Sequence, residues 1–467
     1  MGASQSSRAD RKANGGSVGF HDFEVVRAIG RGSFGKVCVV RQRRRPSRLY
    51  AMKYMNKVQC LENNAVSNVF REIEILARLH HPFLVNLWYT FQDEEDMFLV
   101  FDLLSGGDLA FHLAQQKKFP ELRVRRYMCE MALALDYLRA QRVIHRDVKP
   151  QNILLDSGGR AHLADFNVAT VLAPDSLATS SSGTRPYMAP EVFAAAVAAD
   201  EDEPPTSSRA HGRGAAPPQP HLGRCCLAAG YSFAVDWWSL GVTWYELLRG
   251  RRPFDEVLQT APTCRQSRDA LLTSGLPVPS SWSRDLVTCL LSLLRADPRK
   301  RAADVDALRR LPYLADVDFD AVLREQTLVD FVPEDTFNCD PTHELEEVIV
   351  EPNPLRRKKK RLLKLDTKEP AERTRRLSAA AGVSFEPLLS ADLDVAEERR
   401  GRGQHDAISS LTEQLRELSL RFRAYNRQQQ AADVDRRQRS TLDAHPSASI
   451  HSSTASTQGT SLSQRNA

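Results

Sequence analysis

The segment "HRDVKPQNILLDSGGRAHLADFN", His145 to Asn167, sets an aspartate, a lysine, an asparagine and a second aspartate in order along a polar loop flanked by short apolar runs. Each residue type suits one task in moving a γ-phosphoryl group. An acceptor hydroxyl must be oriented and its proton accepted, which fits Asp147. Lys149 can neutralise charge developing on the phosphoryl oxygens. The side-chain carbonyl oxygen of Asn152 is a hard ligand suited to Mg²⁺, and Asp165 supplies the carboxylate that bridges metal to phosphates. A polar loop assembled by chance would not hold this order.

Working upstream, "GRGSFGKV", Gly30 to Val37, lies between the strand-like runs "FEVVRAI" and "KVCVVRQ". Its glycines let a turn approach a polyphosphate and aim backbone N–H groups at it. The pattern alone also fits a dinucleotide fingerprint or an ordinary turn. A dinucleotide fingerprint leads into a helix, however, whereas this loop leads into a strand. Lys53 follows on a third strand, "RLYAMKYM". Glu72 lies in "VSNVFREIEILARL", whose Val69, Ile73 and Leu76 recur at helical spacing. A lone strand lysine is ordinarily a solvated edge residue. The order glycine loop, strand lysine, helix glutamate instead gives a cation for the α- and β-phosphates and a carboxylate to hold it.

The whole chain has 467 residues, a formal charge of +5 and 26% charged residues, so no global field for nucleic acid is implied. Its eight cysteines are scattered, with no metal-ligand spacing, which favours reduced thiols. No run of about 18 apolar residues crosses a membrane. The start, MGASQS, fits the myristoylation pattern through Gly2 and Ser6 and equally fits a disordered leader. The expected organisation is a disordered 1–22, a folded 23–312 and a C-terminal extension 313–362 with the basic run Arg356 to Arg361. A mostly disordered 363–467 completes it. Within the folded part a strand-rich lobe, 23–101, precedes a mainly helical lobe, 105–312. Residues 194–229, rich in Ala, Pro, Gly and charge, read as a disordered insertion. In the tail, Ile408, Leu411, Leu415, Leu418 and Phe422 recur at spacings of 3 and 4, predicting an amphipathic helix over 406–426 that needs a partner surface.

With these motifs, "PYMAPE" ending at Glu191 and "VDWWSLGVTWYELLRGRRPF", the chain resembles the eukaryotic protein kinases over roughly Phe23 to Pro312. "DEEDMFLVFDLLSGGDL", "GYSFAVDWWSLGV" and "FNCDPTHELEE" narrow the resemblance to the AGC-related YANK group, the serine/threonine kinase 32 group, as far as about Leu362. The resemblance implies an α+β bilobal fold, a small β-rich lobe with one key helix and a larger helical lobe. It also implies an ATP-dependent kinase acting on serine or threonine of protein substrates, the "VKPQN" loop being typical of that specificity. Asp147, Lys149 and Lys53 are the implied catalytic residues, and Asn152 and Asp165 the implied ligands of Mg²⁺, or of Mn²⁺. The nucleotide pocket so implied runs through Ile29, Gly30, Arg31, Gly32, Ser33, Phe34, Gly35, Val37, Ala51, Lys53, Glu72, Asp102, Leu104, Asp108 and Leu154. Asp236 is implied to anchor the catalytic loop and Arg301 to pair with Glu191. Leu76, Leu87, His145 and Phe166 match the regulatory stack of side chains.

The chain also departs from the group. Phe101, at the back of the adenine pocket, is bulkier than expected. Gln151 replaces an acid that basophilic relatives use to hold a substrate arginine, leaving Asp108 and Glu246 for that task. Asn167, by contrast, stands where the wider kinase family has glycine, and its Asp-Phe-Asn triplet is one of the features that resemble the YANK group. Asparagine tolerates positive φ, so the expectation is a left-handed residue there that restricts the flip of the activation segment. Ser180 aligns with the activation-loop phosphosite, and Ser378 ends "RRLS", a pattern for basophilic kinases. The tail lacks the Phe-x-x-Phe-Ser/Thr-Phe/Tyr pattern by which many AGC kinases dock on their own small lobe, so regulation by that route is not expected. The basic run 356–361 fits anionic lipid, nuclear import or plain solvation. A monomer is expected in the cytoplasm, at a membrane if Gly2 is acylated, with the nucleus also open. The competing reading is a pseudokinase, a nucleotide-binding scaffold. Its discriminants, Lys53, Asp147, Asn152 and Asp165, are all present.

Overall fold

Alternating apolar and polar residues in the first hundred positions build an antiparallel sheet with one face covered. The computed structural model describes residues 18–32, 35–202, 230–334 and 410–430. Strands β1 (Phe23–Gly32), β2 (Gly35–Gln42), β3 (Arg45–Asn56), β4 (Leu87–Gln92) and β5 (Asp96–Asp102) run in the order β1-β2-β3-β5-β4. The register sets Val37 opposite Lys53 and Ala51 opposite Phe101. Ala51 and Lys53, two residues apart, therefore share one face. The other face is closed by aromatic rings: Phe23 stacks on Phe91 at 5.8 Å and Phe91 on Phe98 at 4.9 Å.

Helix α1 (Lys57–Glu62) starts at an Asn56 side chain that accepts from Gln59 N. Helix α2 (Val66–Arg78) buries Val69, Ile73 and Leu76, the positions its spacing marks, and carries Glu72 on the same inward side. The second lobe packs around helices α3 (Leu109–Gln116), α4 (Glu121–Ala140), α5 (Pro190–Asp202) and α6 (Ala234–Arg249). Helix α6 is apolar nearly all round and buries Trp237, Trp238, Trp244 and Tyr245, as a central helix must. Between the lobes, short strands β6 (Val143–Ile144) and β9 (Thr170–Val171) pair, as do β7 (Ile153–Leu155) and β8 (Ala161–Leu163). These ladders hold the loops of the 145–167 segment. The bilobal α+β expectation is met.

Three boundaries move. Residues 18–22, expected to be disordered, include a short helical turn, Phe20–Asp22, because Phe20 packs on Phe98 with ring centroids 5.4 Å apart. The insertion expected from 194 begins inside α5. Alanine is the best helix former, and Ala194, Ala195 and Val197 are buried, so the helix runs on to Asp202. Residues 203–229 lie outside the described residues.

The tail helix ends at 421 rather than 426; it is helical from 410, and residues 406–409 lie outside the described residues. A helix of that length is marginal alone in water. It is held because Leu418, Phe422 and Tyr425 are buried in the main core. Phe422 meets Phe70 of α2 edge-on at 6.3 Å, and the Tyr425 hydroxyl donates to Ala77 O at 3.2 Å. Thr90 Oγ1 on β4 donates to Arg423 O at 3.0 Å. The tail thus packs on the small lobe without the Phe-x-x-Phe-Ser/Thr-Phe/Tyr pattern. The contact comes from the helical spacing of apolar residues, and the small lobe is the partner surface that the tail helix was expected to need. The second compact unit, Asn426–Ala467, is described only to residue 430, where residues 427–430 are helical.

Candidate active site

The 145–167 loop is fixed from below by one buried carboxylate. Asp236, at the start of α6, accepts from His145 N on Oδ2 and from Arg146 N on Oδ1, each at 2.8 Å. Burial pushes its carboxyl up to about 6, against the pull of those two N–H groups. His145 is fully buried, its Nε2 lies 3.0 Å from Ala164 O, and its ring meets Phe166 edge-on at 4.8 Å. Leu76, Leu87 and Phe166 are all buried in the same core, and of the expected stack the His145–Phe166 ring contact is in place.

On this support Asp147 stands 7% exposed. Its Oδ1 accepts from Thr184 Oγ1 at 2.6 Å, while its Oδ2 accepts from Asn152 Nδ2 at 2.9 Å and lies 2.7 Å from Lys149 Nζ. Lys149 Nζ also donates to Thr184 Oγ1 at 2.7 Å. Burial alone would raise the Asp147 carboxyl; its hydrogen bonds from Lys149 and Thr184 outweigh that and hold it below the usual range. The group is therefore ionised at neutral pH and bracketed by donors. Asn152 spends its amide nitrogen on Asp147 O and Oδ2, which fixes the orientation of its carbonyl oxygen.

Across the cleft, Lys53 Nζ donates to both carboxylate oxygens of Glu72, at 3.0 and 3.1 Å. Burial would lower this lysine, but the carboxylates of Glu72 and Asp165 prevail and keep it above its ordinary value. It remains a cation. Gly35, opening β2, has no room for a side chain, since a Cβ there would lie 1.7 Å from Tyr54 O. Ala51, Leu104 and Leu154 are partly buried against the core and Phe101 is buried in it, giving the cleft an apolar wall.

The segment after Asp165 is tied to the same loop. Arg146 Nη1 donates to Ser180 Oγ at 2.7 Å, and the Tyr231 hydroxyl donates to Ser180 O at 2.5 Å. Further on, Arg301 and Glu191 form the expected buried pair, with N–O distances of 2.6 and 3.0 Å.

The structure brings Lys53, Glu72, Asp147, Lys149 and Asn152 into hydrogen-bonded sets, with Asp165 close enough to act on Lys53. Asp102 and Asp108 take supporting positions. Asp102 Oδ2 accepts from Asn86 N at 3.1 Å, and Asp108 Oδ1 caps α3 by accepting from Phe111 N at 2.8 Å. Ile29, Gly30 and Val37 lie on β1 and β2 around the glycine turn. Arg31 and Gly32 end β1, while Ser33, Phe34, Gly2, Ser378 and the run 356–361 lie outside the described residues. One expectation is reversed: the left-handed residue of the Asp-Phe-Asn triplet is Asp165, at φ 63°, and Asn167 is not among the positive-φ residues. Aspartate tolerates that region nearly as well as asparagine, so the bend falls on the residue that presents its carboxylate to the cleft. Thr184, Arg146 and Tyr231 were missed. Thr184 lies just before "PYMAPE" and Arg146 inside "HRDVKPQN", but only the folded chain shows that Thr184 reaches Asp147.

The donor set fits a hard cation. One carboxylate and one amide oxygen, Asp165 and Asn152, suit Mg²⁺, which binds few protein ligands and completes its shell with water and phosphate. Among the described residues no group of three or more His, Cys, Asp or Glu could hold a metal ion by itself.

The protein kinase domain family matches residues 23–203 and 225–314. The chain is 46% identical over 365 residues to serine/threonine-protein kinase 32B of Homo sapiens, covering 78% of this chain and 81% of the relative. To serine/threonine-protein kinase 32C of Homo sapiens it is 48% identical over 368 residues, covering 78% and 69%. A RAC family serine/threonine-protein kinase homolog of Dictyostelium discoideum is 34% identical over 331 residues, covering 69% and 66%.

Proposed function

Because the chain belongs to the protein kinase family, we propose that its cleft transfers the γ-phosphoryl group of Mg-ATP to serine and threonine hydroxyls of protein substrates. It is a serine/threonine protein kinase. The observation that carries the assignment of roles is the hydrogen-bonded set Asp147–Lys149–Thr184–Asn152 facing the Lys53–Glu72 pair. Asp147, ionised and held by three donors, orients the acceptor hydroxyl and takes its proton. Lys149 offers a second positive charge beside the transferring group, and Thr184 fixes both side chains. Lys53, kept cationic by Glu72, pairs with the α- and β-phosphates. Asn152 and Asp165 would hold Mg²⁺, or Mn²⁺, which when bound screens phosphate charge and favours departure of the leaving oxygen. The Gly35 turn brings backbone close to the phosphates, and Ala51, Leu104 and Leu154 flank the adenine.

The test is incorporation of labelled phosphate from Mg-ATP into a peptide array. Asp147→Asn should fall at least about a hundredfold below wild type; equal signal from the two proteins defeats the assignment. The same array reads substrate preference. Asp108 caps α3, and Glu246 accepts a 2.6 Å bond from the Tyr187 hydroxyl. Neither is ready for a substrate arginine, so basic sites should not be enriched.

Protein substrates reach a monomer in the cytoplasm on this reading, with the nucleus open and nucleic acid not a partner. Membrane association follows from two signals, a myristoyl group on Gly2 and the basic run 356–361, since one acyl chain alone binds weakly. Labelling cells with a myristate analogue tests it: Gly2→Ala should lose the label that wild type takes up. Ser180, within reach of Arg146, and Ser378 are the phosphate acceptors this reading assigns to the chain itself. No observation among the described residues favours the scaffold reading.

A further inference from the structure

The turn that follows Gly183 sets a cation beside the acceptor site. Thr184, whose Oγ1 donates to Asp147 Oδ1 at 2.6 Å, leads directly into the short helical turn Arg185–Tyr187. That turn is fixed in place: Tyr187 N donates to Thr184 O at 2.9 Å, Met188 N donates to Arg185 O at 3.2 Å, and Ser239 Oγ of α6 donates to Tyr187 O at 2.8 Å. An extended substrate advances about 3.3–3.6 Å per residue, so side chains one or two positions from the acceptor hydroxyl fall within reach of an arginine at 185.

The guanidinium of Arg185 is held without being neutralised. Its Nη2 donates to Ala261 O and, at 2.6 Å, to Ser267 Oγ, and neither acceptor carries charge. Ser267 is fully buried and its Oγ donates to Ala261 O at 2.9 Å, which makes the mount rigid. Among the described residues Arg185 has no carboxylate partner, and its Nε is buried without a hydrogen bond, while the residue as a whole stays partly exposed. The carboxylates around the turn answer to other donors. Glu246 accepts from the Tyr187 hydroxyl at 2.6 Å, and Asp255 pairs with Arg252, whose guanidinium lies over the Tyr187 ring. A partly desolvated guanidinium fork in that position gains most from an anion with two oxygens to offer.

We propose that Arg185 is a specificity-determining residue that pairs with an anionic side chain of the protein substrate one or two positions from the acceptor hydroxyl. The inference rests on the kinase reading and deepens it by naming the substrate class: serines and threonines flanked by aspartate, glutamate or a phosphorylated residue.

The experiment uses the full chain and peptides with one central serine, carrying glutamate, glutamine or phosphoserine at each of the two positions on either side. At one or more of these positions, kcat/KM of wild type should be about tenfold higher for glutamate than for glutamine, as one charge-assisted hydrogen bond would give. The ratio should fall toward one in Arg185→Gln and shrink as ionic strength rises. Phosphoserine above glutamate assigns the anion as phosphate, and the reverse order assigns it as carboxylate. If Arg185 is only a strut, Arg185→Gln lowers every peptide alike and keeps the wild-type ratio, which overturns the proposal. A ratio near one at all four positions in wild type also overturns it, and that measurement needs no variant to fold. Binding of the same peptides with alanine in place of the central serine, followed by fluorescence polarisation, needs no turnover. A chain that phosphorylates no peptide yet binds the glutamate peptides about tenfold tighter defeats the kinase reading and leaves the anion site standing. Turnover with no such ratio does the opposite.

Discussion

Asp165 carries both the charge and the left-handed backbone of its triplet, so its two contributions can be separated by substitution. Asparagine keeps the tolerance for φ 63° and loses the carboxylate. Asp165→Asn should therefore leave the thermal midpoint within a few degrees and lower phosphate incorporation at least about a hundredfold. Asn167→Gly should do the reverse. Position 167 needs no positive φ, so glycine there only frees the unfolded chain. The expected loss is about 0.5–1 kcal/mol in denaturant unfolding, with activity kept. Sequence reasoning named the right triplet and the wrong residue, because which backbone bends depends on how Phe166 is pulled into the core. The anchor below the loop gives a pH signature. Asp236 is raised to about 6, above its unfolded value, so the folded state takes up a proton between the ordinary carboxylate range and about 6. Its contribution to stability is accordingly largest below that window and declines as pH rises through it. Denaturant unfolding of Asp236→Asn from pH 4 to 7 should lack this term, worth at most about 1.4 kcal/mol per pH unit.

At the scale of elements, the three strands bearing the glycine turn and Lys53, and the helix bearing Glu72, were legible because their alternation and 3–4 spacing are local. The catalytic loop was legible because its residue types are chemically distinctive. The end of α5 was not, since alanine and acidic residues serve helix and disorder alike until Phe193 and Val197 find a core. The tail helix was legible from its spacing, but its landing place was not. Ser419 Oγ meets Lys57 Nζ at 2.9 Å across 362 residues of sequence, and nothing local links them. The contact makes a direct prediction. Phe422→Ala removes the ring that meets Phe70 and should speed hydrogen exchange of the tail and of α2 by at least about tenfold. Leu420→Ala, at a 77% exposed position on the same segment, should leave it unchanged.

At the scale of the whole molecule, the larger lobe is bound together by Arg301. Its guanidinium reaches Glu191 at the start of α5, Ala234 O at the start of α6 and Arg295 O just after the helix Arg284–Leu293. Removing it strands a buried carboxylate, so Arg301→Met should cost about 3–5 kcal/mol in denaturant unfolding. Glu191→Gln combined with Arg301→Met should recover part of that loss, since no buried charge then remains. The docked tail has a different consequence, one of timing. The surface it covers on α2 and β4 leaves the ribosome early, while Ser419 emerges 362 residues after Lys57. At about 5–20 residues per second, the small lobe waits roughly 20–70 s for its cover. During that interval the nascent chain presents an apolar face to chaperones, and an mRNA truncated before codon 410 would leave the face open for the lifetime of the product.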